Sequence, residues 1–336
     1  PDDEASAAPQ DAYDAVVQEM IAGNYGVVLD RLDTLLDEYP EDAGLHNLKG
    51  GAHVALGNLQ EAIEAYRGAL QIDPGNISAV RNVGQLFERG NRHDVALALY
   101  QQAREYSPDA LALILNEARL EARRGNDARG EALLDEAIEK HPEALEPRLL
   151  KARHFLSLGE PETAVTTLQP LREEQSDNAA FMRLLGEALL SSGTPAAAID
   201  ALKRAADLGE ANEELTALRA RALVEDEQYS EAEGLLREEI HAAGDETVRL
   251  RILLVRLLSM RGDHDQAEDA YQALVERAGS DVSIFAEGAR AALRAGNAEQ
   301  AIERFREARE LQAGEEVTRG LARAYDRAGK LETAAS

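Results

Sequence analysis

The stretch Leu56-Gly57-Asn58-Leu59-Gln60-Glu61-Ala62-Ile63-Glu64-Ala65-Tyr66-Arg67-Gly68-Ala69-Leu70-Gln71-Ile72-Asp73-Pro74 decides the fold. Gly57 offers a turn position free of Cβ strain, Ala62, Tyr66 and Ala69 follow at helical spacing, and Pro74 ends the helix because it has no N–H and restricts Asp73. This reads as a turn followed by one amphipathic helix. The same sentence recurs: turn glycines are expected at Gly23, Gly57, Gly90, Gly125, Gly159, Gly193, Gly262, Gly296 and Gly329, with Glu227 in the one slot that lacks glycine, at steps close to 34 residues. A fixed period of that length, built of two helices, is the signature of a solenoid whose units contact only their neighbours.

In register, the units begin at Pro9, Ala43, Ile77, Leu111, Leu145, Ala179, Glu213, Val248, Val282 and Glu315. Position eight of the unit is small in most copies (Gly50, Gly84, Ala118, Ala152, Gly186, Ala220, Ala289, Ala322), and position twenty is mostly alanine. Small residues at both sites let the two helices of a unit approach closely. Tyr66, Tyr100, Leu134, Leu168, Leu202, Leu236, Tyr271 and Phe305 at position twenty-four are expected to fill the space between units.

This pattern resembles the tetratricopeptide repeat over residues 9–336. The second unit carries the family pattern through Gly50, Gly57, Ala62, Tyr66, Ala69 and Pro74, and Pro40, Pro108 and Pro142 repeat its last position. The family's tryptophan at position four is absent, since the chain has no Trp. The resemblance implies an all-α fold: a right-handed superhelical solenoid of antiparallel helix pairs, about nine and a half units of 34 residues in one domain. Residues 1–8 read as a linker or a cut N-terminus, and Gly329–Ser336 as the start of a second helix that continues in a longer parent chain.

With 63 acidic against 36 basic residues the net charge is −27, which disfavours nonspecific nucleic-acid binding. No stretch approaches the ~20 apolar residues of a spanning helix. Without cysteine there are no disulfides, zinc–thiolate sites or cysteine nucleophiles, and the compartment stays open. The seven histidines form no His-x-x-x-His pair, and the glycines have no preceding strand that would make a phosphate loop. Acidic pairs such as Glu173-Glu174 read as solvated helix faces. No catalytic residue, metal site or cofactor is expected, and the chain reads as a non-enzyme.

In a stacked helix-pair solenoid the first helix of each unit lines the inner surface. The resemblance implies that positions two, five, nine, twelve and thirteen of that helix face a groove. Position nine carries Arg119, Arg153, Arg221, Arg256, Arg290 and Arg323; position five adds Arg81, Arg183 and Arg319; position thirteen adds Arg89, Arg123, Arg294 and Arg327. Two readings stand. Each arginine pairs with a groove acid such as Glu88, Glu146, Glu187, Glu214, Glu225, Glu316 or Asp326, contributing ~0–1 kcal/mol where exposed, or the guanidinium forks bind carboxylates of a partner in a concave, field-focusing surface. The N-terminal end of the groove differs, with Tyr13, Val17, Met20, Ile21, Gly51 and Val54 making it apolar or neutral. Tyr13 and Val17 stand where a Lys/Asn clamp for chaperone tails would need Lys and Asn, so that activity is not expected.

Asn47–Asn58 and Ala164–Leu171 also look like the tetratricopeptide lipoproteins found with bacterial exopolysaccharide and PEP-CTERM systems. This narrower resemblance implies a periplasmic or envelope-associated scaffold, with a cytoplasmic setting as the alternative. The expected partner is a protein or peptide with acidic groups, held in the arginine-lined groove. An anionic exopolysaccharide in the same groove is the rival.

Overall fold

The computed structural model describes residues 7–244, 247–278 and 281–330. The chain divides into two compact units, Pro1–Lys151 and Ala152–Ser336. The first holds α1 (Gln10–Ile21), α2 (Tyr25–Glu38), α3 (Ala43–Ala55), α4 (Leu59–Ile72), α5 (Ile77–Arg89), α6 (His93–Tyr106), α7 (Leu111–Arg123), α8 (Asp127–Lys140) and the start of α9 (Glu146–Leu158). The second holds the rest of α9, then α10 (Pro161–Leu168), α11 (Ala179–Ser191), α12 (Pro195–Asp207), α13 (Glu213–Glu225), α14 (Tyr229–Ala243), α15 (Val248–Arg261), α16 (His264–Ala278), α17 (Val282–Arg294), α18 (Ala298–Leu311) and α19 (Glu315–Arg327). No strand occurs among the described residues. Pro1–Ser6 and the segment after Lys330, including Ala334 at position twenty of the last repeat, lie outside the described residues.

Odd-numbered helices are the first (A) and even-numbered helices the second (B) of each repeat. The periodicity places their starts closely. Ala43, Ile77, Leu111, Ala179, Glu213, Val248, Val282 and Glu315 each open an A helix, while α1 and α9 open one residue after Pro9 and Leu145. A capping residue stands just before many of them: Asp42 accepts from the N–H groups of Gly44 and Leu45, Asn76 from Ala79, Asn178 from Phe181, Asn212 from Leu215 and Asp281 from Ser283. These side chains satisfy N–H groups that the first turn leaves without an intrahelical acceptor.

The A–B turns put one residue per repeat in the left-handed region, for example Gly57 at φ 79° and Gly125 at φ 78°. The third repeat corrects the sequence expectation, because Gly90 has φ −82° and the left-handed residue is Asn91, at φ 57°. Asn91 is the slot that the 34-residue step itself demands, and asparagine tolerates this region better than most residues. Glu227 fills its slot as expected, at φ 61°. A Cβ costs roughly 1–2 kcal/mol there.

Position eight sets the approach of A to B. A Cβ on Gly50 would stand 2.5 Å from the Tyr66 ring and one on Gly186 2.5 Å from Leu202, so in both repeats the position-twenty-four residue sits against position eight of its own repeat. Tyr66 also clusters with Ala79 and Val83 of the next repeat, so this residue joins two units as well as filling one. In the fifth repeat the B helix stops at Leu168 and a 3₁₀ turn, Gln169–Leu171, follows. Pro170 accounts for the break, having no N–H to continue the α-helical ladder. Within each unit successive A helices approach one another more closely than successive B helices do, so the A helices line the inner side of each stack.

Two outcomes check this packing. Gly84→Ala, which drives a methyl into the buried Tyr100 ring, should lower stability by roughly 1–3 kcal/mol, whereas Gly234→Ala, in open space within α14, should raise it by roughly 0.5–1 kcal/mol, both read from urea midpoints. Glu227→Gly should stabilise by about 0.5–1 kcal/mol, relief of the left-handed strain outweighing the added freedom of the unfolded chain.

Candidate binding face of the A helices

In the first unit the groove arginines are spread out. Arg119 on α7 bonds Asn116 Oδ1 at 2.9 Å and Glu146 at 2.9 Å. Arg123, one turn on, reaches Glu88 of α5 at 3.2 Å, and the other oxygen of Glu88 accepts the Tyr100 hydroxyl at 2.9 Å. Arg81 is exposed, with no ion pair or hydrogen bond among the described residues. At the N-terminal end the Tyr13 hydroxyl donates to the capping carboxylate Asp42, and Val17 and Ile21 stay exposed. Burial, with Asp42 beside it, pushes the Tyr13 phenol well above its ordinary range.

The second unit concentrates its arginines. Arg153, on the part of α9 that belongs to this unit, is exposed, and no bond to it occurs among the described residues. Arg183 of α11 is mostly buried, its Nε 2.8 Å from Glu210, with Glu187 and Glu214 farther off at 3.9 and 3.8 Å. Among the described residues Arg221 of α13 reaches only Glu225, at 3.9 Å. Arg319 pairs with Glu315 one turn back on α19, fully at the surface. Arg323 and Arg327, farther along α19, are exposed and unbonded among the described residues.

The centre of this face is a residue that the sequence reading did not single out. Glu287, at position six of α17, has a side chain only 2% exposed. Arg256 of α15 donates to its Oε2 through Nε at 3.1 Å and Nη2 at 2.8 Å. Arg290 donates to the same oxygen at 3.0 Å, and Arg294 to Oε1 at 3.3 Å while also bonding Ser259 Oγ at 2.7 Å. Arg290 also reaches the exposed Glu316 of α19. One buried carboxylate thus gathers three guanidiniums from two A helices, all of them open to solvent on their outer side. The only sequence signal for it is that Glu287 lies three residues before Arg290 and seven before Arg294, on one helix face.

Burial by itself would push the Glu287 carboxyl up. The Arg256 hydrogen bonds and the charges of Arg256, Arg290 and Arg294 outweigh it and hold the group below the ordinary carboxylate range. A carboxyl lowered in the folded state stabilises fully above its unfolded value, ~4.3, and loses that contribution as pH falls through the folded value.

Beside this hub the inner face opens into a cavity of about 140 Å³ between α13 and α15. Ala220, Val224, Leu236, Leu253, Leu257 and Met260 make it mainly apolar, and Arg221, Glu225 and Arg256 complete the lining. Among the described residues no group of three histidine or acidic side chains could hold a metal, and no helix is long and apolar enough to cross a membrane.

Glu287→Gln should therefore cost about 3 kcal/mol at pH 7, the low end for breaking a buried pair because the arginines keep access to water. Urea midpoints measured at several pH values should show a constant gap between wild type and variant above about pH 4.3 that narrows as pH falls below it.

A family model described as tetratricopeptide repeat matches residues 22–77, 83–144, 149–213, 218–282 and 287–336. No curated protein sequence matches. Among solved structures, a tetratricopeptide repeat protein from Parabacteroides merdae is similar at 15% identity and TM-score 0.61, covering 74% of this chain and 98% of that one. PilW, a type IV pilus biogenesis factor, is similar at 20% identity and TM-score 0.51, over 62% of this chain and 98% of that one. Yeast Tom70 is similar at 12% identity and TM-score 0.51, over 96% and 89%. These likenesses are of fold, whereas the family model spans most of the sequence, repeat after repeat: the chain belongs to the tetratricopeptide repeat family.

Proposed function

We propose that this chain is a noncatalytic scaffold that holds an acidic protein partner on the A-helix face of its second unit. Tetratricopeptide repeat proteins generally mediate protein–protein interaction, and this face supplies the chemistry for choosing a partner. The carrying observation is the sharing of Glu287 by Arg256, Arg290 and Arg294. Two carboxylates, Glu287 and the exposed Glu316, meet three guanidiniums and leave one positive charge over. Elsewhere on the A helices of this unit Arg153, Arg323 and Arg327 are exposed and unbonded among the described residues, on a chain of net charge −27. Guanidinium groups held by a buried anchor present their remaining N–H donors in a fixed geometry, which suits bidentate recognition of carboxylates.

Arg183 belongs to the scaffold, given its burial and its ion pair with Glu210. In the first unit, Arg119 and Arg123 are neutralised one to one, by Glu146 and Glu88, and Arg81 would act as an outlying contact. Placement at the bacterial envelope is part of the proposal and rests on the resemblance of Asn47–Asn58 and Ala164–Leu171 alone.

Charge reversal at Arg256 or Arg290 would set a second carboxylate against buried Glu287 and threaten the fold, so the informative variant is Arg153→Glu/Arg221→Glu/Arg323→Glu. In a pull-down from the native envelope fraction, a protein captured by wild type, released by salt and lost from the triple variant is the expected result. Equal capture by both would overturn the proposal. Salt-sensitive recovery of carbohydrate instead would move the assignment to an anionic polysaccharide.

A further inference from the structure

We infer that the cavity between α13 and α15 is a socket for one apolar side chain of the partner, so that the recognised segment is an acidic peptide carrying a leucine-like residue between its carboxylates. This rests on the proposed acidic-partner reading and adds a sequence requirement to it. Position thirteen holds Arg294 in α17 and Arg327 in α19, but Met260 in α15, and Met260 is 46% exposed. That substitution removes the charge that would otherwise close the cavity and leaves an apolar wall of Val224, Leu253, Leu257 and Met260.

The volume, about 140 Å³, is that of a single side chain, since a cavity of about 150 Å³ accommodates one benzene ring. It is therefore too small for a second helix and apolar enough to reject a sugar hydroxyl left without a partner. Arg221 and Arg256 stand at its lining from the two facing helices, and both are about two-fifths exposed. An aliphatic group seated here places its neighbouring residues over guanidiniums, and charge complementarity then selects carboxylates on either side. Methionine suits such a wall because its unbranched, polarisable chain adapts to the side chain it meets.

Fluorescence anisotropy with three labelled pentapeptides tests this: one leucine flanked on each side by two glutamates, the same with alanine at the centre, and the leucine peptide flanked by glutamines. The Glu-flanked leucine probe should bind the full chain about tenfold or more tighter than its alanine counterpart, the ratio expected for burying an isobutyl group. It should also bind tighter than the glutamine-flanked probe. Met260→Arg restores the residue found in α17 and α19 at an exposed site, and should abolish the leucine preference while leaving the alanine probe bound as tightly or tighter.

Equal binding of the leucine and alanine probes to wild type would overturn the socket and leave the anionic face standing. No binding of either acidic probe would overturn both. Equal binding of the glutamate- and glutamine-flanked leucine probes would overturn the arginine role. Concentration-dependent self-association in sedimentation velocity, weakened by Met260→Arg, would assign the cavity to a second copy of this chain and overturn the peptide.

Discussion

The structure depends on how closely the two helices of one repeat can approach. Where Gly50 and Gly186 stand, even a methyl group would strike the tyrosine or leucine of the opposing helix, so these two A–B pairs have one depth of contact. Tyr66 then carries that contact into the next repeat, and Phe305 does the same where it meets Gly320 of α19. Arg304 shows how far this joint can be elaborated. It is buried, lies 3.9 Å above the Tyr271 ring, donates to the Gly288 carbonyl at 3.0 Å and pairs with Glu268. A side chain tied at so many points fixes the rotation of α17 and α18 against α16, and therefore which residues of α17 face outward.

That rotation gives the A-helix arginines their meaning. With position eight turned toward the B helix, position nine turns toward the inner side, and Arg221, Arg256 and Arg290 follow one another there. Glu287 lies three residues before Arg290, deep enough to be dry and near enough for three guanidiniums to reach it. A buried carboxylate is costly unless its lone pairs are satisfied, and here Arg256 alone occupies one oxygen twice. The compensation is local order: long side chains that would otherwise sample many rotamers are held at their inner ends while their outer N–H groups face solvent. Glu117 in the first unit is buried to the same degree but points toward the B side, pairing with the mostly buried Arg104 and with the half-exposed Arg129. Similar residues thus serve cohesion in one unit and surface charge in the other.

Much of the fold was legible because a repeat writes each constraint many times. Ala43, Ile77 and Val282 open helices where the register puts them, and the left-handed turn recurs even where Glu227 replaces glycine. Gly90 misled because glycine is conspicuous, whereas the period points to Asn91. The arginine positions were readable, but their bonds were not: Arg123 meets Glu88 and Arg290 meets Glu316 across different helices, and those distances depend on packing. Glu287 and the cavity beside Met260 escaped because each occurs once, and a property of one repeat leaves no period to detect.

The most direct measurement is an NMR titration that follows the guanidinium Nε–Hε resonances as a hexaglutamate peptide is added. The expected result is that Arg221, Arg256, Arg290 and Arg294 shift together in a saturable, salt-sensitive manner, while arginines on B helices such as Arg204 and Arg306 stay in place. Shifts spread evenly over all surface arginines, or confined to those on the B helices, would contradict a charged face organised by Glu287.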